Sequence, residues 1–236
     1  MHSSTAILLF SRTAQAEAKY KQLVRAETDN IALLERMLAR TKQLLRQSQL
    51  PVYHISEREQ RGHSFGDRLA NAVASVFRQG HDKLLIVGQD CAQLQRQDIR
   101  QALSHLDNGH AVLGRDHRDG AYLIGLHREQ FSRDTFAELP WQQVGLYAAL
   151  KAFLCQSVPA DSDRGLHLCQ PKELRALADL NTAKDLATQL PWLRTDRFLA
   201  AILARINRPA NTFTHTTFLS SLAAISTYQL RGPPVL

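Results

Sequence analysis

Short apolar runs alternate with amphipathic stretches of helical length, and this alternation most constrains what the chain can become. The runs are Ala6 to Phe10, "PVYHI" at 51–55, "LLIV" at 84–87, "HAVLG" at 110–114 and "AYLIGL" at 121–126. Between them the spacing of apolar residues predicts three helices. The first covers Asn30 to Gln47, with Ile31, Leu34, Leu38 and Leu45 on one face and Arg36, Arg40, Lys42 and Arg46 outside. Thr28, Asp29 and Asn30 offer themselves as its N-cap. "SFGDRLANAVASVFRQG" and "QRQDIRQALSHLDNG" repeat the signal, each closing on a glycine. Strands buried on both faces and separated by helices belong to an α/β fold: three layers around a mixed, mainly parallel sheet.

The chain changes character after Phe131. "WQQVGLYAALKAFLCQ" reads as one amphipathic helix, "GLHLC" as an edge strand, and "NTAKDLATQL" as a short helix capped by Thr182 and Asp185. "RFLAAILARIN" reads as a further helix, and the tail beyond it is apolar and uncharged until Arg231. Such a tail is expected to dock on its own domain or on a second copy, so a homodimer is one expectation. The division expected is one domain over 1–193 and a C-terminal appendage over 194–236.

Charge and composition narrow the partners. A formal charge of +7 over 236 residues suits acidic ligands. The basic residues are dispersed and not interleaved with aromatics, which favours small phosphorylated ligands over nucleic acid. No apolar run approaches the ~20 residues of a membrane span. The N-terminus lacks the basic start of a signal peptide. Three cysteines without metal-ligand spacing suit a reducing, cytoplasmic compartment.

Chemistry is expected where strands end, because ligands of open parallel sheets gather at the carboxyl edge. Asp90 follows the run at 84–87, and Asp116 and Asp119 lie between two later strands. Two acids meeting there suit Mg²⁺ or Mn²⁺, which take oxygen ligands and leave places for phosphates. The bland alternative is that strand-end aspartates cap the next turn. Asp161 and Asp163 have D-x-D spacing but follow a helix and a proline, as in a solvated loop. Cys91 reads as a buried thiol, Trp141 as core or lid packing, and His117 as a loop-surface residue among the acids; Arg61 reads as part of a solvated charged loop, with contact of Arg61 and Arg68 to a phosphate as the alternative.

The blocks "SFGDRLANAV", "VGQDCAQL", "VLGRDHRDGAYLIGLHREQF", "LPWQQ" and "LADLNTAKDL" follow one another in the order of a bacterial family. Together they resemble the nucleotide-diphospho-sugar transferase-like proteins with a glycosyltransferase-A fold, distantly related to guanylyltransferases acting on the molybdenum cofactor and phospholactate. The resemblance implies a metal-dependent transferase using a nucleotide or nucleotide-sugar donor. It implies Asp90 as metal ligand, Asp119 as the second acid, and Gly88, Gly120 and Tyr122 as the pocket floor. Arg12, Lys19 and Lys21 would bind or steer phosphates. The family's first-loop glycine is absent from "SRTAQAEAKYKQL", and Arg115, Ala92 and Ala121 stand where proline, proline and glycine are usual. A non-catalytic nucleotide-binding or scaffold protein that keeps the fold is the alternative.

Overall fold

The computed structural model describes residues 4–156, 170–193 and 197–206. The apolar runs become the interior of one six-stranded sheet. Its strands are β1 (Thr5–Phe10), β2 (Val52–Ile55), β3 (Lys83–Val87), β4 (Val112–Asp116), β5 (Ala121–His127) and β6 (Lys172–Leu177). They lie in the order β2-β1-β3-β5-β4-β6, and only β5 runs against its neighbours. The sheet is therefore mixed and mainly parallel, as the alternation required.

Successive residues of β1 and β3 serve opposite faces. Ala6, Leu8, Leu84 and Ile86 join one core, and Ile7, Leu9, Leu85 and Val87 join the other. Helices α3 (Phe65–Phe77), α5 (Arg133–Ala137) and α6 (Leu146–Gln156) border the first core. The second lies under α4 (Arg96–Asp107) and the C-terminal half of α2 (Glu27–Arg46). A third, smaller cluster joins α1 (Ala14–Ala18) and α2 to α7 (Ala183–Leu193) and α8 (Arg197–Ile206), with Leu199 and Leu203 packed among Leu33, Leu34 and Met37. Thus the first helix of the expected appendage packs on α2. Among the described residues no helix is long and apolar enough to cross a membrane.

Several boundaries differ from the sequence reading, each for a local reason. The α2 helix starts at Glu27 with Ala26 as an N-cap that makes no side-chain bond, so Asn30 is inside the helix. The helix expected from Trp141 starts at Leu146, because Gln142 and Gly145 have φ of 62° and 90°, which helical backbone does not allow. Trp141 instead donates from Nε1 to the Phe136 carbonyl at 2.8 Å and packs against the rings of Phe65 and Phe136. The "GLHLC" segment, Asp161, Asp163 and the tail with Arg231 lie outside the described residues. The described edge strand next to β4 is "KELRAL", β6.

Two irregularities bracket the end of β4. Gly114 and Arg115 face Leu123 and Ala121, so Tyr122 is an extra residue in β5. Gly114 and Asp116 face Leu174 and Leu177, so β6 carries an extra residue as well. Bulges re-aim side chains where pairing stops, and these two flank Asp116.

The contact between α3 and α5 gives the fold a sharp test. A Cβ on Gly66 would lie 2.1 Å from the Ala137 carbonyl oxygen and 2.7 Å from Trp141 Cδ1. Gly66→Ala should therefore cost about 1–3 kcal/mol, as overpacked sites do. The urea midpoint reads this directly; an unchanged midpoint would mean that α5 does not rest on α3.

Candidate active site at the carboxyl edge

Five parallel strands point their carboxyl ends the same way, and aspartates close or follow three of those ends. Asp90 comes after β3, Asp116 closes β4 and Asp179 follows β6. The turn between β4 and β5 is built around Asp116, whose Oδ1 accepts the N–H groups of Arg118 at 2.7 Å and Gly120 at 2.6 Å. This carboxylate sits directly on Gly120: a Cβ there would be 2.3 Å from Asp116 Oδ2. Gly120 is thus required by the seating of Asp116. Tyr122 is buried, lays its ring over Gly114 and donates to the Arg175 carbonyl at 3.0 Å. Gly88 donates its N–H to the Tyr122 carbonyl at 3.1 Å, which joins β3 to the bulge.

Asp90 faces the first loop. Its Oδ1 accepts from Lys21 Nζ at 2.6 Å, and the same ammonium lies 3.1 Å from Glu17 Oε1. Glu17 Oε2 in turn meets Arg12 Nη1 at 3.1 Å, and the Arg12 guanidinium lies over the Tyr20 ring. The Lys21 side chain is only 6% exposed, which makes its pairing decisive. Burial pulls Lys21 down, but the charges of Asp90 and then Glu17 outweigh it and raise its pKa, so the ammonium stays charged. Buried Asn30 braces this segment, accepting from Leu23 N at 2.8 Å and donating to the Lys21 carbonyl at 2.7 Å. Lys19 is exposed on the C-cap of α1.

The first loop is tied to the segment that follows β2. Glu57 accepts the Thr13 N–H at 2.6 Å and its hydroxyl at 2.7 Å, and Thr13 Oγ1 caps Ala16 N. Its cations, Arg12 and Lys21, reach the carboxyl edge as side chains. This is the arrangement that a loop without glycine favours.

Asp119 has a different setting. It holds φ at 69°, its Oδ2 accepts the Gly145 N–H at 2.7 Å and its carbonyl accepts the Tyr147 N–H at 3.2 Å. The carboxylate therefore fastens the loop that precedes α6. The acids that act on one another are instead Asp90, Asp116 and Asp179. The Asp90 carbonyl accepts Leu180 N at 2.9 Å, and Cys91 Sγ donates to Asp179 Oδ1 at 2.8 Å. Burial, then the charge of Asp90 and a hydrogen bond with Asp116, push Asp179 up to about 7. Burial also raises the Cys91 thiol, so it remains protonated and a poor nucleophile. Asp179 stands within the "LADLNTAKDL" block, but its role depends on the distant pairing of β4 with β6.

The residues present do not fit a ready-made divalent site. Lys21 is bonded to Asp90, backbone N–H groups hold Asp116, Cys91 holds Asp179, and Gly145 holds Asp119. Among the described residues no three His, Cys, Asp or Glu side chains are arranged to hold a metal ion.

Residues 54–143 match the model of a family described as an uncharacterized protein conserved in bacteria, DUF2064. The DUF2064 segment runs from β2 to the turn before α6, so it contains Asp90, Asp116 and Asp119. A protein of Desulfovibrio desulfuricans G20, provisionally named a nucleotide-diphospho-sugar transferase, has the same fold. The TM-score is 0.70 at 19% identity, over 86% of this chain and 95% of that one. Rv0371C of Mycobacterium tuberculosis H37Rv, crystallised in complex with manganese, overlaps more loosely. Its TM-score is 0.43 at 13% identity, over 80% of this chain and 99% of that one. No curated protein matches the chain.

The raised acid predicts a pH dependence with a definite sign. Between the ordinary carboxylate range and about 7 the folded chain holds a proton on Asp179 that the unfolded chain has released. Stability from this group is fully present at the acid end of that window and is lost as pH rises through it. Asp179→Asn keeps an acceptor for Cys91 and removes the proton. Urea midpoints from about pH 4 to about pH 8 should therefore decline less steeply in the variant. An equally steep decline would assign the proton to another group.

Proposed function

We propose that this chain binds a nucleotide or nucleotide-diphospho-sugar at the carboxyl edge of its sheet and transfers a glycosyl or nucleotidyl group from it. The observation that carries this reading is the convergence of Asp90, Asp116 and Asp179 from three strand ends, with Lys21 and Arg12 on the first loop beside Asp90. The likeness in fold to a provisionally named nucleotide-diphospho-sugar transferase supports the donor class.

Both reactions place negative charge on a departing phosphate group. In glycosyl transfer an acceptor hydroxyl bonds to the sugar carbon as the carbon–oxygen bond to the nucleoside diphosphate breaks. In nucleotidyl transfer the acceptor bonds to the α-phosphorus and pyrophosphate leaves. Lys21, paired with Asp90, and Arg12, paired with Glu17 beside it, would offset that charge. Asp179, with its pKa pushed up to about 7, is suited to exchange a proton near neutral pH. Asp116 and Gly120 would act indirectly, by holding the β4–β5 turn at the edge of the pocket.

Thermal stability in the presence of nucleoside triphosphates, nucleoside diphosphates and nucleotide sugars tests the reading. A ligand at 100 times its Kd should stabilise the chain by about 2.7 kcal/mol. The effect should be lost in Asp90→Asn. Release of pyrophosphate would then identify nucleotidyl transfer, and release of nucleoside diphosphate glycosyl transfer. Binding without either product would favour a binding protein, and no response to any nucleotide would end the proposal.

A further inference from the structure

The groups around Lys21 form a closed chain of charge: Arg12 to Glu17, Glu17 to Lys21 and Lys21 to Asp90, at 3.1, 3.1 and 2.6 Å. Two cations and two carboxylates balance to zero. The ammonium lies between two carboxylates whose side chains come from α1 and from the end of β3, and a single cation between two such acids is the electrostatic task of a metal ion. The lysine is held there from both sides. Its side chain is 6% exposed, and the buried Asn30 amide fixes its backbone carbonyl. The other acids of the carboxyl edge are already held by N–H or S–H donors, and among the described residues no three potential ligands gather for a metal.

We propose that Lys21 replaces a divalent ion at this site, so that the chain engages its ligand without binding Mg²⁺ or Mn²⁺ at Asp90. The inference deepens the nucleotide-binding reading and rests on it for the identity of the ligand. The cation it describes is part of the chain. It is present at every metal concentration and cannot be removed by a chelator.

Manganese alone, followed by the paramagnetic resonance of the free ion, provides the test. Wild-type chain should take up no stoichiometric Mn²⁺ at micromolar concentrations. Lys21→Met leaves Glu17 and Asp90 without their common cation, so it should bind one Mn²⁺ per chain, and adding Asp90→Asn should abolish that binding. Stoichiometric uptake by wild type that Asp90→Asn abolishes would overturn the proposal, as would a folded Lys21→Met that gains no ion. The comparison of wild type with Asp90→Asn does not use Lys21→Met, so it decides even if Lys21→Met fails to fold. Because no nucleotide is used, the outcome is independent of whether the donor class has been read correctly.

Discussion

The Lys21 ammonium is the interaction on which the carboxyl edge depends. It joins Glu17 on α1 to Asp90 after β3, residues that the chain separates by most of two βα units. Through the Asp90 carbonyl and Leu180 N the same junction reaches the segment after β6. Removing one partner of a buried pair leaves an uncompensated charge, which typically costs about 3–5 kcal/mol. Such an arrangement is selective as well as stabilising. It fixes one geometry for a loop that carries no glycine, and the Lys21 charge opposes the burial that raises the pKa of Asp90.

The second constraint is the pair of bulges beside Asp116. The extra residue Tyr122 places both Tyr122 and Leu123 in the same core, which simple alternation forbids. The extra residue in β6 changes its buried positions to Leu174 and Leu177, a spacing of three. Together they end regular pairing at Asp116, so that its carboxylate turns onto its own loop and toward Asp179. The acidity of Asp179 is thus a product of topology. Only the β4–β6 pairing brings that residue to the acids of β3 and β4.

These two constraints explain what the sequence could and could not disclose. Strands β1 and β3 and helices α3 and α4 were legible because their residues obey a single period and are bounded by local signals. The Ser64–Asp67 capping box is one such signal, with Ser64 Oγ accepting Asp67 N at 2.9 Å. The β6 strand was not legible, because a bulge replaces period two with period three. The start of α6 was obscured because the apolar pattern continues across Gly145, whose φ of 90° interrupts the helix. Asp90 stood out since it ends an apolar run. Lys21 was singled out only through the family resemblance and without its partner Asp90, 69 positions away, and Asp179 was not singled out because its partner Cys91 is 88 positions away.

A built-in ammonium and a bound divalent ion are not equivalent solutions to one electrostatic problem. The ion brings two charges and open coordination places, and its occupancy varies with concentration. The ammonium brings one charge and three N–H donors at fixed positions, with two of its partners already supplied by Glu17 and Asp90. A site of this kind attracts an anion less strongly at rest, because its four side chains sum to zero charge. Arg12, the more exposed of its two cations, is then the group with freedom to turn from Glu17 toward a phosphate. Each such movement would leave Glu17 more dependent on Lys21, so ligand charge and the internal pairing of the first loop are coupled by the same carboxylate.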